Sequence, residues 1–257
     1  MKKLSLLIGI LVLSCNAFAA EDDWYTEKST HFILYYKDVS VGFINNVLNK
    51  AEEYYRRIAD GLGFTRYNFW LWDNRAKIYI YKDAQDYKAH TGLPHWSCGY
   101  ASVKDKTIRT FPLDSGFLDR LLPHELGHII FREFVGFDNK SIPLWLDEGV
   151  ATYQEGIKRL AARKFVRKAV ENNTFVPLDK LSGVNLASLN DSNAVSSFYL
   201  ESVCLVDYLI VEFDRQRFVD FCRELRDGKT LDEALNSVYP FKNLKDLNDH
   251  WLKFLKK

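Results

Sequence analysis

The sequence carries almost no excess charge: 35 Lys and Arg face 34 Asp and Glu, a formal +1. Without a basic surplus, a phosphate-binding surface is not expected, and nucleic acid is excluded as the natural partner class. Cysteine is scarce, four in 257 residues. No pair has C-x-x-C spacing, which excludes a cysteine zinc site and a dithiol redox motif. Beyond the first twenty residues no segment reads as long and apolar enough to span a bilayer, so the mature chain is expected to have no transmembrane segment. Internal repeats and low-complexity linkers are missing too. What is present is 47% hydrophobic, 15% aromatic and 27% charged, the composition of a globular protein with a packed core.

The exception is the start of the chain. Lys2 and Lys3 precede the apolar run Leu4 to Leu13, and Ala17-Phe18-Ala19 then fits the A-x-A pattern of a cleavage site. Residues 1–19 therefore read as a secretory signal cut before Ala20, leaving 33 basic against 34 acidic residues in a soluble, exported protein, periplasmic or secreted. A rival reading takes Val12-Leu13-Ser14-Cys15 as a lipoprotein signal with Cys15 acylated; Leu13 fits that pattern poorly, and the downstream site fits better. Cleavage before Ala20 leaves Cys98, Cys204 and Cys222, an odd number, and Cys204 with Cys222 is the disulfide we expect if one forms.

Periodicity divides the mature chain. His31 to Tyr36 and Ala76 to Tyr81 have strand composition, with a helical apolar pattern over Phe43 to Leu62 between them. A hairpin is expected from Cys98 to Val103 and Thr107 to Phe111, turning at Lys104-Asp105-Lys106. Beyond Pro112 the helical period dominates, with helices expected over Ser115 to Val135, Trp145 to Asn172, Ala194 to Phe213, Arg215 to Asp227, Leu231 to Val238 and Leu244 to Leu255. The fold class is α+β: a small mixed sheet with a hairpin edge in a subdomain over 20–112, and a mostly helical subdomain over 113–257.

The chemistry-bearing residues lie in the helical part. In His124-Glu125-Leu126-Gly127-His128 the two histidines stand four apart, one turn above each other on a helix face, where both imidazoles can grip one ion. Glu125 is turned about 100° from His124 and can reach a water on that ion without ligating it. A third ligand is needed, and Trp145-Leu146-Asp147-Glu148-Gly149-Val150-Ala151 supplies Glu148, twenty residues after His128. Two His and one Glu form an open three-ligand site with room for a water.

At these residues the sequence resembles the gluzincin metallopeptidases, and most closely the compact peptidase MA-like group, whose pattern is H-E-x-x-H followed by W-L-x-E-G-x-A. The resemblance runs from Cys98 to Trp251 and includes Phe198-Tyr199-Leu200-Glu201-Ser202 and Leu225 to Leu235. It implies a thermolysin-like catalytic core, one zinc ion on His124, His128 and Glu148, Glu125 as general base, and Tyr199 as the hydroxyl that meets the oxyanion. It also implies that the hairpin strand at Gly99, Tyr100 and Ala101 pairs with an extended peptide substrate. Gly99 to Val103 lacks the Gly-x-Met-x-Asn motif of the larger aminopeptidases, and the chain is far shorter, so an endopeptidase is the reading the resemblance favours. Thr152 stands where thermolysin-like relatives have an Asp that steadies a ligand histidine; Asp147 and Asp119 are the carboxylates considered for that task.

Two other functions use the same residues: a binding module that keeps the shell without turnover, and an amidase acting on cell-wall peptides. His31, His90, His95 and His250 lack partners at ligand spacing and read as structural or surface residues, with His95 near the hairpin. Cys98 reads as a small buried residue. Lys158, Arg159, Arg163, Lys164, Arg167 and Lys168 read as the solvated face of a helix.

Overall fold

The computed structural model describes residues 24–64, 70–93, 98–112, 116–186, 189 and 191–257. The expected leader with Cys15, and His95, lie outside the described residues.

Five strands form one mixed sheet in the order β1-β2-β3-β5-β4, comprising β1 (Tyr25–Lys28), β2 (Phe32–Tyr36), β3 (Ala76–Ile80), β4 (Gly99–Ser102) and β5 (Thr107–Thr110). The three inner strands β2, β3 and β5 run parallel, and each edge strand is antiparallel to its neighbour. Alternation assigns the faces: Phe32, Leu34, Ala76, Ile78, Ile80 and Ile108 are buried. The helix α1 (Val41–Leu62), capped by Ser40, connects β2 to β3 and buries Ile44, Val47, Ala51 and Ile58. One continuous apolar core joins these residues to Leu126, Trp145, Leu205 and Trp251 of the later helices.

The helical part consists of α3 (Leu122–Val135), α4 (Leu144–Tyr153), α5 (Ile157–Glu171), α6 (Leu178–Ser182), α7 (Ser192–Phe213), α8 (Arg215–Arg226), α9 (Leu231–Val238) and α10 (Leu244–Leu255). The α+β expectation is met, with three local corrections. The helix expected over Trp145 to Asn172 is two helices, because the chain breaks at Gln154-Glu155-Gly156 and Gly156 takes φ 47°. The helix expected from Ser115 is regular only from Leu122, entered through a π turn at Phe117–Leu121, and Ser115 itself lies outside the described residues. Strand β1 and helices α2 (Ala84–Thr91) and α6 are additions that periodicity did not announce. Each is short, and β1 is exposed at all four positions, so none carries the apolar period that marks a longer element.

Two further expectations change. Helix α7 is long and apolar enough to cross a membrane by length and composition, contrary to the expectation that no later segment would be. Much of its apolar surface, including Phe198, Val203, Leu205, Val206 and Leu209, is buried in the core, as in a core helix of a folded protein. Cys204 and Cys222 are both free, so the expected disulfide does not form. They face different neighbours: Cys204 lies against Trp251 of α10 and Cys222 beside Tyr239 after α9. Burial pushes the Cys204 thiol up to about 12.

Candidate active site

Helices α3 and α4 cross at Gly127, and α4 meets α7 at Gly149. A Cβ on Gly127 would sit 2.9 Å from Ala151 Cα, and one on Gly149 would sit 2.7 Å from both Ser202 O and Val206 Cγ2 of α7. The glycines thus let three backbones approach more closely than any other residue allows. Trp145, wholly buried, anchors the start of α4 and donates Nε1–H to Ser182 Oγ at 3.0 Å. The residues flanking Glu148 in its motif are therefore the ones that press α4 against its neighbours.

This crossing brings three donor atoms together. His124 Nε2 and His128 Nε2 are 3.1 Å apart, and Glu148 Oε2 lies 3.5 Å from the first and 3.4 Å from the second. Each imidazole turns its other nitrogen to a carboxylate: His124 Nδ1 to Glu155 Oε1 at 2.9 Å, and His128 Nδ1 to Asp147 Oδ1 at 3.0 Å. Each carboxylate is held in turn by a cation. Lys158 Nζ lies 2.9 Å from Glu155 Oε1, and Arg132 Nε and Nη2 both lie 2.8 Å from Asp147 Oδ2.

The hydrogen bonds decide the tautomers. With Nδ1–H donated outward, both Nε2 atoms present lone pairs to each other, beside a Glu148 Oε2 that is buried without a hydrogen-bond partner. Three electron-rich atoms facing one point repel unless a cation sits among them. Zinc, with bonds of about 2.0–2.1 Å in tetrahedral geometry, sets its donors roughly 3.3–3.4 Å apart. The observed triangle, with sides of 3.1, 3.4 and 3.5 Å, fits it. Charge agrees: the carboxylates of Glu125, Asp147, Glu148 and Glu155 against the cations Arg132 and Lys158 leave two negative charges for a dication.

Protonation responds to the same contacts. Burial opposes charge on His128, but Asp147 and Glu148 outweigh it and raise its pKa well above the usual 6.5; His124 is raised likewise by Glu148 and Glu155. Burial opposes the charged form of Glu148 as well, but His124 and His128, when protonated, hold it far below the usual carboxylate range. Protons therefore compete with a metal for these atoms, and metal affinity falls as pH falls. Burial raises the pKa of Glu125 despite the two histidines.

Around the triangle stand the other expected residues. The Ala101 backbone N–H of β4 donates to the Glu125 carboxylate, which places that edge strand beside the site. Gly99 packs against Leu121, where a Cβ would lie 3.1 Å from its methyl carbons. The Tyr100 side chain turns to the opposite sheet face, its OH accepting from Arg109 Nη1 at 3.2 Å. The Tyr199 ring centroid lies 6.2 Å from that of His124, and burial with the nearby Glu148 and Glu125 carboxylates keeps its phenol protonated.

Sequence reasoning offered Asp147 as one of two carboxylates and missed the parts played by Glu155, Arg132 and Lys158. The other carboxylate considered, Asp119, is exposed on the π turn and acts on Lys50 and Tyr54 of α1 instead. Thr152 is buried with its hydroxyl unpaired, and Glu155, three residues on, holds His124. The signal was Gly156: a 28-residue periodic run with a glycine inside it marks a break, and the acid before that break was the one to examine.

A helix bearing two histidines, an adjoining helix bearing a glutamate, and a sheet edge beside Glu125 agree with a metallopeptidase-like hydrolase. The chain belongs to the peptidase MA superfamily, whose family profile matches residues 72–257. Among curated proteins none matches the chain.

Proposed function

We propose that the protein is an exported zinc-dependent endopeptidase acting on protein or peptide chains. The observation that carries the reading is the triangle of His124, His128 and Glu148 donor atoms, with both histidines fixed through Nδ1 by carboxylates. Held by those three residues, zinc would supply Lewis acidity toward a carbonyl and acidify a water. Glu125 takes a proton from the attacking water and passes it to the leaving amine, and its buried setting raises its proton affinity toward that task. Tyr199, kept protonated, donates its hydroxyl where negative charge develops on the carbonyl oxygen. Asp147 and Glu155 keep each Nε2 lone pair pointed inward.

Substrate binding is assigned to β4, the outermost strand of the sheet among the described residues, with Gly99, Tyr100 and Ala101 as the stretch that an extended chain would lie along. Gly99 to Val103 contains no acid to hold a free amine, which favours cleavage within a chain over removal of terminal residues. The test is Glu125→Gln in the purified mature protein. Zinc content should stay at one ion per chain while hydrolysis of denatured protein substrates disappears. Wild type and variant equally inactive on proteins, peptide libraries and muropeptides would refute the peptidase reading and support a non-catalytic shell.

A further inference from the structure

Helix α5 concentrates positive charge in a chain whose 35 basic and 34 acidic residues nearly cancel. Its fifteen residues hold Lys158, Arg159, Arg163, Lys164, Arg167 and Lys168 against a single acid, Glu171. Two of the cations have work elsewhere: Lys158 pairs with Glu155, and Arg159 with Asp207 at 2.8 Å. Arg163 lies over the Phe254 ring, 4.3 Å from its centroid. Lys164, Arg167 and Lys168 make no ion pair to any described residue.

The inner face of α5 packs on α7 through Ala162, Val166 and Ala169, so the free cations share the opposite face. That face also carries Ile157, 73% exposed, and Leu160, 84% exposed. Of seven large apolar side chains exposed among the described residues, three are on this helix, the third being Phe165 at its flank. Leu160, Arg163, Lys164, Arg167 and Lys168, with the single acid Glu171, line an open depression of about 690 Å3. Solvation alone explains the cations but not aliphatic side chains left in water among them.

We propose that the outer face of α5 docks the protein on an anionic phospholipid bilayer. Lys164, Arg167 and Lys168 meet headgroup phosphates while Ile157 and Leu160 enter the headgroup–acyl boundary. The combination of positive charge and exposed aliphatics on one face selects this partner over an acidic polypeptide, which offers the aliphatics nothing. Lys158, in the first turn of α5 on its inner side, touches Glu155 and lies 5.4 Å from the Tyr199 ring centroid, so docking would hold the cleft across the thickness of this helix from the membrane. That consequence rests on the peptidase reading; the docking itself does not.

The test is co-sedimentation of the mature protein with vesicles of phosphatidylcholine alone or with about one-third phosphatidylglycerol. Wild type should bind the anionic vesicles, weaken steeply with salt, and leave the neutral ones in solution. Lys164→Gln, Arg167→Gln and Lys168→Gln together should weaken binding on the order of a hundredfold. Leu160→Ser with Ile157→Ser should also weaken it, while the salt dependence persists. All variants compared share one N-terminus, so any contribution from it cancels, and thermal melts should show each variant folded. Glu125→Gln should bind vesicles like wild type, which separates failure of docking from failure of the peptidase reading. Equal binding to neutral vesicles, binding by the triple variant at wild-type strength, or capture by polyglutamate without capture by anionic vesicles would overturn the proposal.

Discussion

Glu201 sits on α7 two residues after Tyr199 and is wholly buried. Its two carboxyl oxygens each lie 3.2 Å from the Val176 N–H, and no cation pairs with it among the described residues. Burial pushes its pKa from 4.5 up to about 8, against the opposing pull of that one hydrogen bond. Between those two values the native state holds a proton that the unfolded chain has released. Stability from this group is therefore full below the unfolded pKa and is lost as pH rises through the folded one. At about 1.4 kcal/mol per pKa unit, the shift corresponds to a loss on the order of 3–5 kcal/mol by pH 9. Glu201→Gln stays neutral at every pH and keeps an acceptor for Val176. Urea unfolding of both proteins in the same metal state, across pH 5 to 9, should find them similar near pH 5, with the variant's advantage growing up to about pH 8 and levelling off above it. A stability difference independent of pH, or a variant less stable at pH 9, would show that the carboxylate is charged and compensated, and the reasoning would be wrong.

Glu155→Gln should weaken zinc binding about 10- to 100-fold in a chelator competition, because His124 loses its charged partner and Lys158 is left unpaired. Unchanged affinity would remove Glu155 from the metal's support. Tyr199→Phe should lower kcat about 100- to 1,000-fold with zinc content and KM little altered; a change confined to KM would place the hydroxyl on substrate binding instead. Gly149→Ala should cost about 1–3 kcal/mol in thermal or urea unfolding, since the new methyl meets Ser202 O and Val206 at 2.7 Å. A wild-type melting profile would mean that α4 and α7 can separate freely.

The local patterns in the sequence carried most of the fold. Helices α8, α9 and α10 appear where the periodicity of Arg215 to Asp227, Leu231 to Val238 and Leu244 to Leu255 placed them, the second closed by a capping box between Thr230 and Glu233. The meeting of His124, His128 and Glu148 was readable because four-residue spacing is itself a geometric statement on a helix, and their donor atoms do converge. What periodicity could not show was anything that depends on a break or on a distant partner. Gly156 interrupts a run whose apolar spacing continues on both sides, and Glu155 gains its part only because α4 ends there. The fate of α7 was likewise hidden, since composition alone makes a core helix and a membrane helix look the same.

His124, Glu125, His128, Asp147, Glu148 and Glu155 all fall within 32 consecutive residues, whereas Tyr199 arrives 44 residues after the last of them. Contacts between near neighbours close with little loss of chain freedom and form early. Pulsed hydrogen exchange during refolding should therefore protect α3 and α4 before α7, and the opposite order would refute this. On the zinc-peptidase reading proposed above, a folding chain would then gather its ion-holding side chains before the Tyr199 hydroxyl arrives, so sibling molecules still threading their way to maturity would be spared.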